Sequence, residues 1–317
     1  MRAVTITDGE LVWREHPDPA PGHGEVLVAV RAAGINGADM MQRQGLYPAP
    51  PDAPADIPGL ELAGEVIATG PATSRFAVGD AVMAVVSGGG QAELACVHER
   101  LALPLPEGLG WPEAGGFPEV FTTAHDALFT QCGLTLGERV LIHGAAGGVG
   151  IAAVQLAARA GARVVATVRN EDLRAGVAEI GGACGAVDVC APDAWTDRGP
   201  YDVVLELVGA PNIPGDVSSL ATGGRIVVIG VGGGAHAELN LLQLMASRGR
   251  IHASTLRARP LEGKAVAARA VEHSVLPALA SRALRVPIAA ELPMADAEAA
   301  YERFASGGKL GKIVLVT

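Results

Sequence analysis

The 317-residue chain has few aromatic residues, few cysteines and no excess of basic residues. Aromatic residues make up 3% of the chain, so its cores must be built mainly from Val, Leu, Ile and Ala. Lys and Arg number 24 against 34 Asp and Glu, and this net charge of −10 predicts no nucleic-acid partner and no anionic-membrane partner. The scattered cysteines form neither a disulfide framework nor a CxxC metal motif, so we expect a reducing location, the cytoplasm: Cys96, Cys132, Cys184 and Cys190.

The chain also lacks an uninterrupted apolar segment of the kind that spans a membrane. Residues 140–158 carry no Lys, Arg, Asp or Glu, but glycines interrupt them and would weaken a spanning helix. We expect a strand, a glycine turn and a helix there instead. Asp8 and Glu10 stand where a signal peptide would be apolar, so no targeting segment is expected. Aliphatic residues are abundant, which excludes a disordered chain and supports the two domains that the length predicts.

The pattern of apolar runs changes along the chain. Residues 1–118 are predicted to be β-rich, with short extended runs punctuated by Gly and Pro. From about residue 120 to 255, apolar runs typical of buried strands alternate with helical segments, which predicts an α/β fold with a doubly wound parallel sheet. The remainder is predicted to form two helices and a closing strand, at 261–274, 295–306 and 311–316.

A glycine-rich motif, GAAGGVG at 144–150, follows the first of these parallel strands and opens a helix. Glycines allow a sharp turn and a close approach of the backbone to a pyrophosphate, which the positive end of the helix attracts. The order of strand, turn, helix and second strand predicts dinucleotide binding, with an ordinary strand-to-helix turn as the alternative. The residues expected at the cofactor are Ala146, Gly147, Gly148 and Val149.

The residues after the second strand bear on the choice of cofactor. An NAD-specific site places Asp or Glu there, whereas this chain has Arg169 followed by Asn170. A guanidinium can donate two parallel hydrogen bonds to a 2′-phosphate, so the sequence favours NADPH. The alternative is a solvated Arg169 beside Glu171 and Asp172, with one of these acids serving NADH.

Several longer motifs match a known family nearly end to end, at 31–39, 42–48, 58–65, 249–259 and 311–315. On these motifs the chain resembles zinc-independent medium-chain dehydrogenases/reductases of the quinone oxidoreductase (zeta-crystallin-like) family. The resemblance implies a Rossmann NADPH-binding domain at 119–255, inserted in a β-rich GroES-like catalytic domain formed by 1–118 plus 256–317. It also implies a homodimer, with a homotetramer as the alternative, paired through the sheet edge near 251–256, and it implies that the nicotinamide lies in the cleft between the domains.

The resemblance implies no metal. Zinc alcohol dehydrogenases of the same superfold have a cysteine where this chain has Asn36, and a Gly-His-Glu where it has Gly59-Leu60-Glu61. Leu60 cannot ligate zinc. Without a Lewis acid, the suitable substrates are small quinones or α,β-unsaturated carbonyls (enones), reduced by hydride transfer. The alternatives are an enoyl reductase of a biosynthetic pathway and a non-catalytic NADPH-binding redox sensor.

The resemblance also assigns two candidate catalytic residues. Tyr47 is expected at the mouth of the nicotinamide cleft, where its hydroxyl could donate to the substrate carbonyl; otherwise it is a surface loop aromatic. Asn36 is expected beside the nicotinamide ribose; otherwise it is a turn residue. Gln42 and Gln91 are candidate substrate contacts, with satisfaction of loop backbone as the alternative.

Other residues of the resemblance are expected at the cofactor. Thr123 is assigned to the nicotinamide carboxamide, with a helix N-cap as the alternative, and Arg257 to the cofactor, with a salt bridge to Glu262 as the alternative. Lys309 and Lys312 are expected to be solvated or to steer phosphate. The family's usual 2′-phosphate lysine is replaced by Leu173, so that Arg169 either compensates or leaves NADPH affinity reduced. The remaining assigned cofactor contacts are Gly230, Val231, Gly232 and Leu256.

Overall fold

The computed structural model describes residues 1–317, which form fifteen strands and ten α-helices. The strands are β1 Arg2–Thr7, β2 Glu10–Glu15, β3 Glu25–Gly34, β4 Glu61–Thr69, β5 Ala81–Val85, β6 Leu94–His98, β7 Ala102–Pro104, β8 Arg139–Ile142, β9 Arg163–Thr167, β10 Val187–Cys190, β11 Tyr201–Glu206, β12 Leu220–Val228, β13 Arg250–Ala253, β14 Ile288–Pro293 and β15 Lys312–Val316. The helices are α1 Gly37–Arg43, α2 Trp111–Gly115, α3 Pro118–His125, α4 Gly148–Arg159, α5 Arg174–Gly182, α6 Ile213–Ser218, α7 Leu241–Ser247, α8 Leu261–Ser274, α9 Leu276–Ala280 and α10 Ala297–Ala305.

The middle of the chain forms a six-stranded sheet in the order β10-β9-β8-β11-β12-β13. Every pairing in it is parallel. Helices cover both faces, which is why the central strands are almost entirely apolar and buried. The predicted doubly wound Rossmann sheet is confirmed, and the order of its strands reverses between β8 and β11.

Both ends of the chain contribute to a second, mostly antiparallel sheet. Its order is β14-β15-β3-β4-β5-β7, and β6 also pairs with β3. β15 lies antiparallel to β3 and so joins the carboxyl-terminal segment to the β-rich amino-terminal part. The predicted β-rich GroES-like fold around an inserted Rossmann fold is confirmed, whereas the domain bounds at residues 118 and 256 stay a prediction.

The first two strands were missed by the sequence analysis. β1 and β2 form an antiparallel hairpin in which Thr7 pairs with Glu10. The two residues between the strands are Asp8 and Gly9, both with positive φ. Asp-Gly is a strong signal for this kind of two-residue hairpin turn, so the sequence did carry the information.

The largest apolar core lies around the cofactor-domain sheet and extends into the second sheet. Its 39 buried residues come from many elements, with a large share from α4, and they include Ala63 and Met83 of the second sheet. A separate cluster of 23 buried residues fills the rest of the β-rich part. The shared core fixes the cleft between the two sheets. No helix in the protein is both long enough and apolar enough to traverse a lipid bilayer.

Candidate cofactor and substrate cleft

A cleft of about 580 Å³ lies where the two parts of the protein meet. One wall follows the carboxyl ends of β8, β11 and β12, and the other comes from α1, α3 and the loop after β13. This wall of strand ends includes the point where the strand order reverses, which is where open α/β sheets bind their ligands.

The glycine motif forms the floor of the cleft. Gly144 has a φ of +66°, a conformation that side chains disfavour. At Gly150, a Cβ atom would lie 2.4 Å from the carbonyl oxygen of Gly144, so only glycine allows α4 to begin this close to β8. Gly144, Gly147, Val149 and Gly150 line the cleft.

Gly147 is the N-cap of α4, and a Cβ atom built there meets only the Gly144 carbonyl, at 3.5 Å. The backbone is therefore open toward the cleft at the positive end of the helix, and the turn fits a dinucleotide pyrophosphate. Two of the predicted contacts do not line the cleft. The Ala146 carbonyl accepts a hydrogen bond from the Gly311 N–H at 2.9 Å, and Gly148 packs against Val120 and Lys312.

A buried polar cluster supports the turn from below. His143 Nε2 lies 2.8 Å from Asp216 Oδ1, and its Nδ1 lies 3.1 Å from the Thr167 hydroxyl. Glu206 Oε1 accepts a hydrogen bond from the Gly209 N–H at 2.7 Å. Burial raises the pKa of Asp216 to about 6. His143, Glu206 and Asp216 each have a potential ligand atom within 4.8 Å of the others, and the absence of a metal stays a prediction.

Asn36 lies on the opposite wall, at the N-cap of α1. Its Nδ2 donates to Glu61 Oε1 at 2.9 Å, and its Oδ1 accepts from Lys312 Nζ at 2.6 Å. Lys312 also forms an ion pair with Glu61 at 2.6 Å and is 3% exposed. The prediction that Lys312 is solvated or steers phosphate is therefore wrong, because β15 pairs with β3 and carries this side chain into the interior.

Tyr47 and Arg257 form the mouth of the cleft. The Tyr47 hydroxyl lies 2.7 Å from the Thr255 hydroxyl, and the Arg257 guanidinium stands 5.2 Å from the centre of the Tyr47 ring. Arg257 donates to the Tyr47 carbonyl at 3.0 Å and to Gln42 Oε1 at 2.7 Å. The alternative of a salt bridge between Arg257 and Glu262 is wrong, because Glu262 pairs with Arg100.

The other residues assigned to the nicotinamide end are on the cleft wall. Thr123 lines the cleft. It lies in the middle of α3, whose N-cap is Phe117, so the alternative that Thr123 is an N-cap is wrong. After β12, the backbone passes directly along the cleft. The remaining lining residues of the predicted set are Gly230, Val231, Gly232 and Leu256.

Comparison with known proteins identifies the family. Residues 22–130 match the model described as "Alcohol dehydrogenase GroES-like domain", and residues 176–315 match the one described as "Zinc-binding dehydrogenase". The chain is 32% identical over 330 aligned positions to a quinone oxidoreductase of Rattus norvegicus, covering all of this chain and 98% of the rat protein. The chain belongs to the quinone oxidoreductase family. It is an enzyme of the medium-chain dehydrogenase/reductase type, as the sequence motifs predicted.

Two further similarities concern the reaction and the cofactor. Over 144 residues, or 45% of this chain, the protein is 46% identical to a segment of the erythronolide synthase EryA2 of Saccharopolyspora erythraea, which is 4% of that protein. The structure of mycobacterial Rv1454c in complex with NADPH superposes with a TM-score of 0.86 at 26% identity, covering both chains completely.

In this quinone oxidoreductase-like enzyme, neither of the two predicted glutamines lines the cleft. Gln42 Nε2 donates to the Ala55 carbonyl at 3.2 Å while its Oε1 accepts from Arg257. Gln91 is fully buried, and its Oε1 accepts from the Tyr301 hydroxyl at 3.0 Å. Their assignment as substrate contacts is wrong for this structure, because internal partners hold both side chains away from the cleft.

Arg169 and Asn170 follow β9 and do not line the cleft itself. Arg169 is exposed, and its side chain makes no hydrogen bond or ion pair within the protein. Asn170 Oδ1 accepts from the Asp172 N–H at 3.0 Å, which stabilises the turn that follows. The exposed Glu171 lies 3.7 Å from the partly buried Arg174. The Arg169 guanidinium is thus free to bind a ligand, and its role at a 2′-phosphate stays a prediction.

Glu119 was not among the predicted site residues, yet its side chain stands half-buried on the cleft wall. It lies on α3 one helical turn before Thr123, so the spacing alone places both residues on one face. Burial, reinforced by the negative charge of Glu61, raises the pKa of Glu119 to about 8.

Proposed function

We propose that the enzyme reduces quinones or α,β-unsaturated carbonyls with NADPH. The observation that carries this proposal is the continuity of the cleft, which runs from the phosphate-binding turn at Gly147 to hydrogen-bonding groups at Tyr47 and Thr255. When bound, NADPH would supply a hydride. The similarity to quinone oxidoreductases and to an NADPH-bound neighbour supports both the reaction and the cofactor.

The protein's own residues would bind, orient and polarise the substrate. Tyr47 would donate its single O–H to the carbonyl oxygen of the substrate, while the Thr255 hydroxyl, 2.7 Å away, would donate to the Tyr47 oxygen. Asn36 would fix the nicotinamide ribose, because Glu61 and Lys312 hold its amide in one orientation. A side chain whose rotamer is locked by its partners loses little entropy on binding.

The direct test is a panel of quinones, 2-alkenones and enoyl thioesters, with NADPH oxidation followed by absorbance. We expect turnover of quinones or enones, and a marked loss of kcat/KM in Tyr47→Phe. A protein that oxidises NADPH with no member of the panel would contradict the proposal and favour a redox sensor. Turnover confined to enoyl thioesters would favour an enoyl reductase, the second candidate, which rests on the similarity to erythronolide synthase.

The choice of NADPH over NADH is tested at Arg169. We expect Arg169→Ala to lower kcat/KM for NADPH by about tenfold or more and to leave that for NADH nearly unchanged, because a charge-assisted hydrogen bond contributes roughly 1.5–3 kcal/mol. The control is Arg14→Ala, since Arg14 is also exposed and unpaired but lies on β2. An equal effect on both cofactors would contradict the assignment.

We infer a homodimer formed through the edge of the cofactor-domain sheet. β13 pairs only with β12, and the apolar side chains of Leu242, Met245 and Ile251 are exposed beside this edge. We expect light scattering to give twice the chain mass, and Leu242→Glu with Met245→Glu to give monomers. Val266→Glu, at an exposed apolar position on α8, is the matched control. A wild-type monomer would contradict the inference.

The expected cytoplasmic location is supported by the cysteines, all four of which are free thiols. Cell fractionation tests it, and recovery of the protein from an oxidising compartment would contradict it.

A further inference from the structure

The carboxyl group of Glu119 has no partner in the protein. Its backbone N–H donates to Glu61 Oε2 at 2.9 Å, and this bond fixes the first turn of α3 against β4. Its side chain, in contrast, makes no hydrogen bond or ion pair and faces the cleft together with Asn36 and Thr123. A half-buried carboxyl group on a cleft wall, left without internal partners, is available to a bound ligand.

Five charged groups lie near Glu119 on separate elements, and one of them, Lys264 on α8, already donates to the Ser87 hydroxyl. Glu61 on β4 and Asp39 on α1 raise its pKa, whereas Lys312 on β15 and Arg257 after β13 lower it, and burial has the largest effect. Lys312 forms no ion pair with Glu119, because its ammonium pairs with Glu61 and donates to the Ile35 carbonyl at 2.8 Å. The net result is a pKa of about 8, so the group is mostly protonated at neutral pH.

A second ion pair on the cleft wall is also fully paired. Arg259 donates to Asp126 Oδ1 at 2.9 Å, so neither side chain is free to protonate a substrate. The Tyr47 hydroxyl lies at the exposed mouth, where the proposed function uses it to orient the carbonyl by a hydrogen bond and not to transfer a proton. Glu119 is thus the carboxyl group on the cleft wall that both faces the cleft and can hold a transferable proton near neutral pH.

We propose that Glu119, in its carboxylic-acid form, is the proton donor that completes the reduction in the cleft. The inference rests on the proposed function. Two-electron reduction of a quinone or enone needs one hydride, which the reduced cofactor supplies, and one proton. The Glu119 O–H bond breaks as an O–H bond forms on the reduced carbonyl oxygen. The resulting carboxylate takes up a proton from solvent through the open side of the cleft.

The test compares the wild-type enzyme with Glu119→Gln over a range of pH. Glutamine keeps the size and hydrogen bonding of the side chain but cannot transfer a proton, so kcat at pH 7 is expected to fall by about 100-fold or more. The wild-type kcat is expected to fall as pH rises through about 8, because Glu119 then loses its proton. The variant is expected to lack this alkaline limb, with little change in the KM for NADPH.

The matched control is Glu113→Gln on α2, which removes an exposed ion pair with Arg282 and should leave kcat and its pH profile unchanged. Glu119→Asp should retain the alkaline limb with reduced kcat, because it keeps a transferable proton. Thermal unfolding of each variant shows whether the fold is intact. A Glu119→Gln enzyme with wild-type kcat and an intact alkaline limb would overturn the proposal, and so would a rise in the KM for NADPH with kcat unchanged.

A second readout does not depend on turnover. In the cofactor-free protein, infrared spectroscopy should show a carboxylic-acid carbonyl band that is lost as pH rises through about 8 and is absent from Glu119→Gln. Loss of the corresponding band near pH 4 would overturn the inference even in an active enzyme. A wild-type protein that shows the band but reduces no quinone or enone would instead contradict the proposed function and leave Glu119 protonated as inferred.

Discussion

Replacing Gly147 with aspartate is expected to weaken NADPH binding by at least 100-fold while leaving the fold intact. A side chain at this position projects into open space at the floor of the cleft. The new carboxylate would occupy the positive end of α4, where a pyrophosphate is expected, and would repel it. Aspartate is a favoured N-cap residue, and φ at Gly147 is −73°, so the helix itself should not be destabilised.

The measurement is NADPH titration by calorimetry, together with thermal unfolding of the variant. Gly182→Asp is the matched control, because a Cβ atom at Gly182 meets nothing within 4 Å, and this glycine ends α5 away from the cleft. Binding by Gly147→Asp with wild-type affinity would show that the dinucleotide does not lie along this turn.

Lys312→Met is the substitution with the largest expected effect on stability. It leaves Glu61, which is fully buried, without the ammonium that lies 2.6 Å away, and it removes the donor to Asn36 Oδ1. Breaking a buried ion pair from one side typically costs about 3–5 kcal/mol, because the remaining charge stays desolvated. The free energy of unfolding in urea should fall by about this amount, and activity should be lost because Asn36 is no longer held.

Two comparisons separate the buried pair from a general effect of charge. The double variant Lys312→Met with Glu61→Gln should recover much of the lost free energy of unfolding, since the unpaired charge is gone. Arg31→Met breaks an exposed pair with Glu65 and should cost less than about 1 kcal/mol. A loss at Lys312 no larger than that at Arg31 would contradict the structural role assigned here.

The fold was predictable largely because the pattern of buried strands is local. The apolar runs at β8, β9 and β11 belong to a sheet that helices cover on both faces. The glycine motif needs glycine at Gly144 for its positive φ and at Gly150 for the close approach of the backbone. The predicted helix at Leu261–Ser274 begins and ends as expected. These features depend on residues that are neighbours in the chain, so the sequence alone expresses them.

The side-chain partners in the cleft were predictable only in part, because they come from distant segments. Lys312 lies 276 residues from Asn36 along the chain, and nothing near Lys312 marks it as buried. Gln91 looked like a cleft residue from its motif, but Tyr301 holds it from 210 residues away. Glu119 has no distinctive motif, and its raised pKa follows from burial and from the negative charge of Glu61. Such contacts follow from how strands pair across the whole fold.

The most direct test of the account is isotope transfer from NADPH. NADPH carrying two deuterium atoms at C4 of the nicotinamide, so that either face delivers the label, is mixed with the enzyme and a reactive 2-alkenone in ordinary water, and the product is analysed by NMR. The account predicts deuterium at the β-carbon of the saturated ketone and ordinary hydrogen at the α-carbon, with no transfer by Gly147→Asp. Product that carries no deuterium, formed at the same rate as NADPH is consumed, would contradict hydride transfer in this cleft.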